Sequence, residues 1–188
     1  MASHLLHYYS ICADVHSVQC ALLSDANRPD IKEHEGGDMR RPKEISWDEA
    51  RDIAVGTVLY DDIDEREQYR FIILRGSSCL CAYLGIKIDH PLANCDYNDL
   101  PIDCHGGLTF AREGDDEYLP KGYFWYGWDY AHCDDYSYSY NESYMAEFNF
   151  NHDWGKKWTV VDVWNDSRSV WFDFARLMKL AEKMPTRQ

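Results

Sequence analysis

The sequence predicts an α+β fold, a mostly antiparallel sheet with at least two packing helices over about residues 47–59 and 168–183. Three observations predict it. "YRFIILRGSSCLCAYLGIKI" holds two apolar runs of strand length around Gly76-Ser77-Ser78 and reads as a β-hairpin. "GGLTFAR" and "GYFWYGWDY" read as two further strands, joined by the acidic tip "EGDDEYLPK". Two other segments carry apolar residues at helical rather than alternating spacing.

Taken in chain order, residues 1–25 mix apolar residues with His4, His7 and His16 and fit a helix as well as a strand. Residues 26–44 are polar, with Pro29, Gly36, Gly37 and Pro42, and read as a loop. Ser46 followed by Glu49 is a capping box, and Trp47, Ala50, Ala54 and Val58 then share one helical face, so a helix is expected over about 47–59. "YDDIDEREQ" reads as a charged connection to the hairpin, and "DHPLANCDYNDLPIDC" as a long loop. "YSYSYNESY" is irregular, and "KWTVVDVW" is a strand candidate. The last segment opens on the N-cap candidates Asp166 and Ser167 and aligns Phe174, Leu177, Met178 and Ala181. Lys179 and Lys183 sit late, where the helix dipole favours them. The whole is read as a single domain, 1–188, with its sheet-and-helix core in 68–183 and an N-terminal region, 1–45, whose structure the sequence leaves open.

Charge narrows the function classes. The chain has 33 acidic and 19 basic residues, a net charge of −14. Such a protein is repelled by nucleic acid and by anionic membrane surfaces, so direct nucleic-acid binding and membrane association are not expected. It suits the positive groove of a nucleic-acid-binding protein. The seven cysteines are odd in number and irregularly spaced, unlike a disulfide framework. The opening residues lack the basic-then-apolar pattern of a secretory leader, and no apolar run reaches membrane-spanning length. A cytoplasmic location, in a host cytosol, is the expectation.

Two polar clusters flank the central strands: "DCHGG", Asp103 to Gly107, and "DYAHCDD", Asp129 to Asp135. If the strands between them pair as an antiparallel hairpin, His105 and His132 share one end of the sheet with Asp129, Asp134 or Asp135 beside them. Histidine with carboxylate suits a divalent metal ion, and also general acid–base chemistry. His105, Asp129, His132 and Asp135 are therefore the candidate catalytic and metal-binding residues. The alternative is a strand end whose turn histidines and aspartates satisfy local backbone groups. A rival zinc set, Cys104, His105, His132 and Cys133, is awkward because adjacent ligands on an extended chain point to opposite faces. Cys79 and Cys81 share a strand face and read as small buried hydrophobes.

The stretch "DHPLANCDYNDLPIDCHGGLTFA" followed by "FWYGWDYAHCDD" resembles an uncharacterised family common in phages and prophages. The family pattern is a His-Pro-Leu, a short Asp-Tyr-Asp stretch, a Val-His-Gly-Gly-Leu-Thr core, then an aromatic Gly-Phe-Asp-Cys-Ala-His-Ala-Gly-Asp. The matching positions here are His90, Pro91, Asp96, Tyr97, Asp99, His105 through Thr109, Gly127, Asp129, Ala131, His132 and Asp135. Cys104 stands where valine is usual, Trp128 replaces phenylalanine, and Cys133-Asp134 replaces Ala-Gly. The resemblance spans about residues 80–135 and implies a phage-type accessory protein, without a reaction.

Charge and resemblance together point first to a non-enzymatic antagonist of host defence, acting by binding. One target is a defence protein, met by a DNA-mimicking acidic surface on Asp61, Asp62, Asp64, Glu65 and Glu67 and on Asp115, Asp116 and Glu117. The other is a nucleotide, sequestered by aromatic rings crowded between Tyr123 and Tyr140, with Trp125, Trp128 and Tyr136 as the binding candidates. The alternative is a small hydrolase in which His105, Asp129, His132 and Asp135 hold a divalent ion that activates water. A third reading is a structural or assembly protein of the particle. No other cofactor is implied, and the sequence leaves the oligomeric state open.

Overall fold

The computed structural model describes residues 39–64, 67–139 and 155–182. The expectations for residues 1–25, for Glu65 and for the Tyr-rich stretch from Tyr140 onward lie outside the described residues. Five strands form, of which β2 and β5 are nearly continuous buried runs: β1 (Val58–Ile63), β2 (Tyr69–Arg75), β3 (Leu80–Lys87), β4 (Phe110–Glu113) and β5 (Tyr123–Asp129). They form one sheet in the order β1-β2-β3-β5-β4, every neighbouring pair antiparallel. Two α-helices, α1 (Trp47–Asp52) and α2 (Val160–Glu182), complete the α+β fold that the sequence predicts.

The β2–β3 hairpin forms where expected, in register from Tyr69 opposite Ile86 to Arg75 opposite Leu80. The α1 helix starts where expected: the Ser46 side chain accepts from the Glu49 amide, and the Glu49 carboxylate accepts from the Ser46 amide. It stops sooner. Ile53 is extended, Gly56 turns the chain at φ 86°, and residues from Val58 enter β1 rather than continuing a helix to 59. The reason is local and tertiary together. Val55, Thr57 and Val58 are β-branched around a glycine, and the sheet edge offers them pairing with β2. Part of the predicted charged connection is therefore strand, with Asp61 and Asp62 inside it.

The second correction concerns α2. "TVVDVW" is not a strand: Val160 opens a helix of 23 residues, longer than the one predicted from about 168. Thr159 caps it, with its Oγ1 accepting from the Asp162 amide at 3.1 Å and the Asp162 carboxylate accepting from the Thr159 amide at 3.0 Å. Asp166 and Ser167 are interior helix residues, not caps.

Each sheet face has its own cover. On one, Phe71, Ile73, Leu84, Tyr126 and Trp128 meet Val163, Trp171 and Phe174 of α2. Trp171 packs edge-on to Tyr69, with ring centroids 4.6 Å apart. The 88–104 segment joins the same core through Leu92, Ala93 and Cys95, and the Tyr126 hydroxyl donates to the Leu92 carbonyl at 2.6 Å. On the other face, Ile72, Leu74, Tyr123 and Trp125 form a smaller core closed by Leu119. The predicted acidic tip is thus partly a lid. The Trp125 indole donates to the Pro120 carbonyl at 3.0 Å, and the Tyr118 ring lies against Gly56 near the start of β1. Two cross-strand pairs make room for these rings. Trp125 lies opposite Gly85 and Tyr83 opposite Gly127, and a Cβ on either glycine would meet the facing ring at under 3.0 Å.

Candidate functional site

The antiparallel pairing of β4 with β5 brings His105 and His132 together, as the sequence implies. Their ring centroids are 5.2 Å apart. The 104–107 turn, closed by the Gly107 amide on the Cys104 carbonyl, presents His105. The chain leaving β5 curls through Ala131 and His132 and returns at Asp135, which bridges to Lys156 ahead of α2. Gly106 is required here: at φ 66° its hydrogen faces the His132 ring, and a Cβ would sit 1.7 Å from Nε2.

Asp135 is the hub. Its Oδ2 accepts from His105 Nε2 at 2.7 Å and from the His132 amide at 2.8 Å, and its Oδ1 accepts from the Trp158 indole at 2.5 Å. Its side chain is 2% exposed. Burial pushes the carboxyl up, but the bonds from Trp158, His105 and the His132 amide outweigh it and hold the pKa below the usual carboxylate range. An ionised Asp135 accepts only, so the His105 proton in that bond sits on Nε2. His105 stacks on Tyr130 at 4.7 Å and meets Trp158 edge-on at 4.9 Å. The fully buried Tyr130 hydroxyl passes the linkage on, donating to Asp166 at 2.9 Å and lying 3.2 Å from Ser167 Oγ.

The four candidates do not converge on one point. His105 and Asp135 are spent on each other, while Asp129 accepts from the Ala131 amide at 3.1 Å and lies 4.0 Å from His132 Nε2. Among the described residues, no group of three or more His, Cys, Asp or Glu side chains is placed to hold a metal ion. The rival cysteines do not change this. Cys133 is exposed, and burial, then Asp103 and Asp166, push the Cys104 thiol up to about 12, which keeps it protonated. Chemically, the arrangement fixes the tautomer and orientation of one imidazole and ties three chain segments together.

The binding candidates fall elsewhere. Trp125 and Trp128 are buried in the two cores and offer no stacking face to a ligand. Tyr136 is half-buried, edge-on to Trp47 at 5.2 Å. Asp61 takes a two-pronged contact from Arg70. Asp62 is buried and accepts from Arg40 Nε at 3.0 Å and the Tyr60 hydroxyl at 3.0 Å. Asp64 accepts from the Tyr69 amide at 2.8 Å. Asp115 and Asp116 are held below the usual carboxylate range by the Glu117 and Lys121 amides respectively, and they also meet Arg112 at 2.8 Å and the Lys121 ammonium at 3.1 Å. The acids nominated from sequence are thus mostly tied to local cations and amides. For Asp61 and Asp62 nothing in the spacing announces this, because Arg70 and Arg40 come from other segments.

Sequence reasoning drew a family resemblance and His105 from the segment 88–111 but did not use its acidic surface. That segment contains no lysine or arginine, and it exposes Asp89, Asp96, Asp99 and Asp103 while Leu92, Ala93, Cys95 and Leu100 enter the core. The signal was present as four aspartates without a lysine or arginine among them. No described helix is long and apolar enough to cross a membrane. No protein-family model, curated protein or solved structure matches the chain.

Proposed function

We propose that this is a non-enzymatic, phage-type antagonist of host defence that binds a positively charged face of a defence protein. The observation that carries the reading is the acidic segment without lysine or arginine, with Asp89, Asp96, Asp99 and Asp103 exposed along it. The net charge of −14 and the resemblance to phage proteins support it. Carboxylates anchored on a packed segment keep their spacing, which gives an incoming positive groove fast, salt-sensitive recognition. The nucleotide version of the reading loses its support, since Trp125 and Trp128 lie inside.

The test is protection of an infecting phage in cells that carry a restriction or CRISPR defence and express the protein. Plating efficiency should rise with the wild type and with His105→Ala. It should fall back when Asp89, Asp96, Asp99 and Asp103 are all changed to Asn. Protection that survives the four changes but is lost with His105→Ala would sink the reading and return attention to the histidine end.

A further inference from the structure

His105 has one imidazole nitrogen that the Asp135 hub does not use. Its Nε2 donates to Asp135 Oδ2 at 2.7 Å. That carboxylate also accepts the His132 amide on Oδ2 and the Trp158 indole on Oδ1, so both of its oxygens are engaged as acceptors. The ring proton therefore stays on Nε2, and Nδ1 keeps its lone pair. Among the described residues Nδ1 makes no hydrogen bond. It is not sealed from solvent either: the His105 side chain is 24% exposed, and the sealed nitrogen of the histidine pair is His132 Nε2.

The ring is also held in place. It stacks on Tyr130 at 4.7 Å, and Trp158 meets it edge-on at 4.9 Å. A proton that arrives at Nδ1 makes the ring a cation, and the buried Asp135 carboxylate already faces that charge without rearrangement. The turn that presents His105 is open at Gly107, where a Cβ would meet no atom within 4 Å. A fixed tautomer, an orienting carboxylate and an open acceptor nitrogen are what general-base chemistry needs. The surroundings narrow the substrate. Asp103 and Asp134 are exposed on the two segments that carry the histidines, and Asp129 stands 4.0 Å from His132 Nε2. Their charge repels phosphate esters and other anions. No serine hydroxyl or thiol among the described residues bonds to Nδ1, which leaves water as the nucleophile.

We propose that His105 and Asp135 form a general-base dyad that hydrolyses uncharged esters, with His105 as the catalytic residue and Asp135 as its positioning residue. Nδ1 takes a proton from water while the water oxygen bonds to the ester carbonyl carbon. The carbonyl π pair moves onto its oxygen and returns as the bond to the alkoxy oxygen breaks. The leaving oxygen keeps that bonding pair and takes the proton from Nδ1. Ester and water become a carboxylic acid and an alcohol, and the dyad ends as it began. This activity is separate from binding by the acidic 88–103 segment, which needs no chemistry.

The experiment follows hydrolysis of p-nitrophenyl acetate by the full chain, with p-nitrophenyl phosphate as the anionic comparison. His105→Gln still offers an N–H to Asp135 but has no base nitrogen, and it should lose about a hundredfold in kcat/KM for the acetate. Asp135→Asn should lower kcat with KM unchanged, because a carboxamide that donates as well as accepts no longer fixes the tautomer. A further measurement needs no variant to fold: nitrogen NMR of the wild type should find neutral His105 protonated on Nε2. Acetate hydrolysis no faster in the wild type than in His105→Gln overturns the proposal. So does a ring proton on Nδ1, or faster turnover of the phosphate than of the acetate.

Discussion

His105 Nε2 donates to Asp135 Oδ2 at 2.7 Å across 30 residues of sequence, and that carboxylate also takes the Trp158 indole. One buried anion thus joins the turn before β4, the chain leaving β5 and the approach to α2. Breaking a buried charge network by removing one member costs several kcal/mol, because the other polar groups lose their partner.

Asp135→Ala is therefore expected to lower the unfolding free energy by about 3 kcal/mol, and His105→Ala by about 1 kcal/mol, since it removes one of the three donors. Denaturant unfolding at constant slope checks both.

The same carboxylate sets an acid limit. Its folded pKa lies below the unfolded value, so its stabilisation is present above about pH 3.9 and is lost as pH falls through the folded pKa. Wild-type stability should drop over that acid window. Asp135→Asn should start lower and drop less, a difference that thermal melts at stepped pH will resolve.

Gly106→Ala adds a Cβ 1.7 Å from His132 Nε2 and strains a backbone at φ 66°. A loss of about 3 kcal/mol is expected, of which about 1 kcal/mol belongs to the backbone. Combining it with His132→Ala should recover the steric share and leave the backbone share. A double-mutant cycle with no coupling would mean that the ring does not pack there.

Gly85→Ala tests the second core. The new Cβ would stand 2.7 Å from the Trp125 ring, which is fully buried and has nowhere to retreat. A loss of about 2 kcal/mol is expected from the overpacking. A change within about 0.5 kcal/mol would mean that the 114–121 lid gives way easily.

Arg75→Met should release α1, because the guanidinium donates to the Ala50 and Arg51 carbonyls at the end of that helix. Hydrogen exchange of amides in residues 49–53 should accelerate about tenfold or more while β2 and β3 keep their protection.

Much of the architecture was legible because its causes are local. Ser46 and Glu49 announce a helix start, and the capping box forms as read. Gly76-Ser77-Ser78 between two apolar runs announces a hairpin, and β2 pairs with β3 there. The misreadings lie where local cues competed. Thr159 and Asp162 carried the second capping box, but the β-branched run after Thr159 resembled a strand. Val58 fitted a helical face, yet the edge of β2 took it.

By itself the sequence determined the fold class, the acidic charge and the meeting of His105 with His132, because periodicity, composition and antiparallel pairing follow from order along the chain. Only the tertiary structure decided what those groups do. Asp135 faces His105 and Trp158 rather than an open site, Asp61 and Asp62 face Arg70 and Arg40, and Arg75 faces the carbonyls that end α1. Most of these partners come from distant segments. A charge in a packed protein is assigned by whichever donors burial brings to it, and no spacing along the chain encodes that choice.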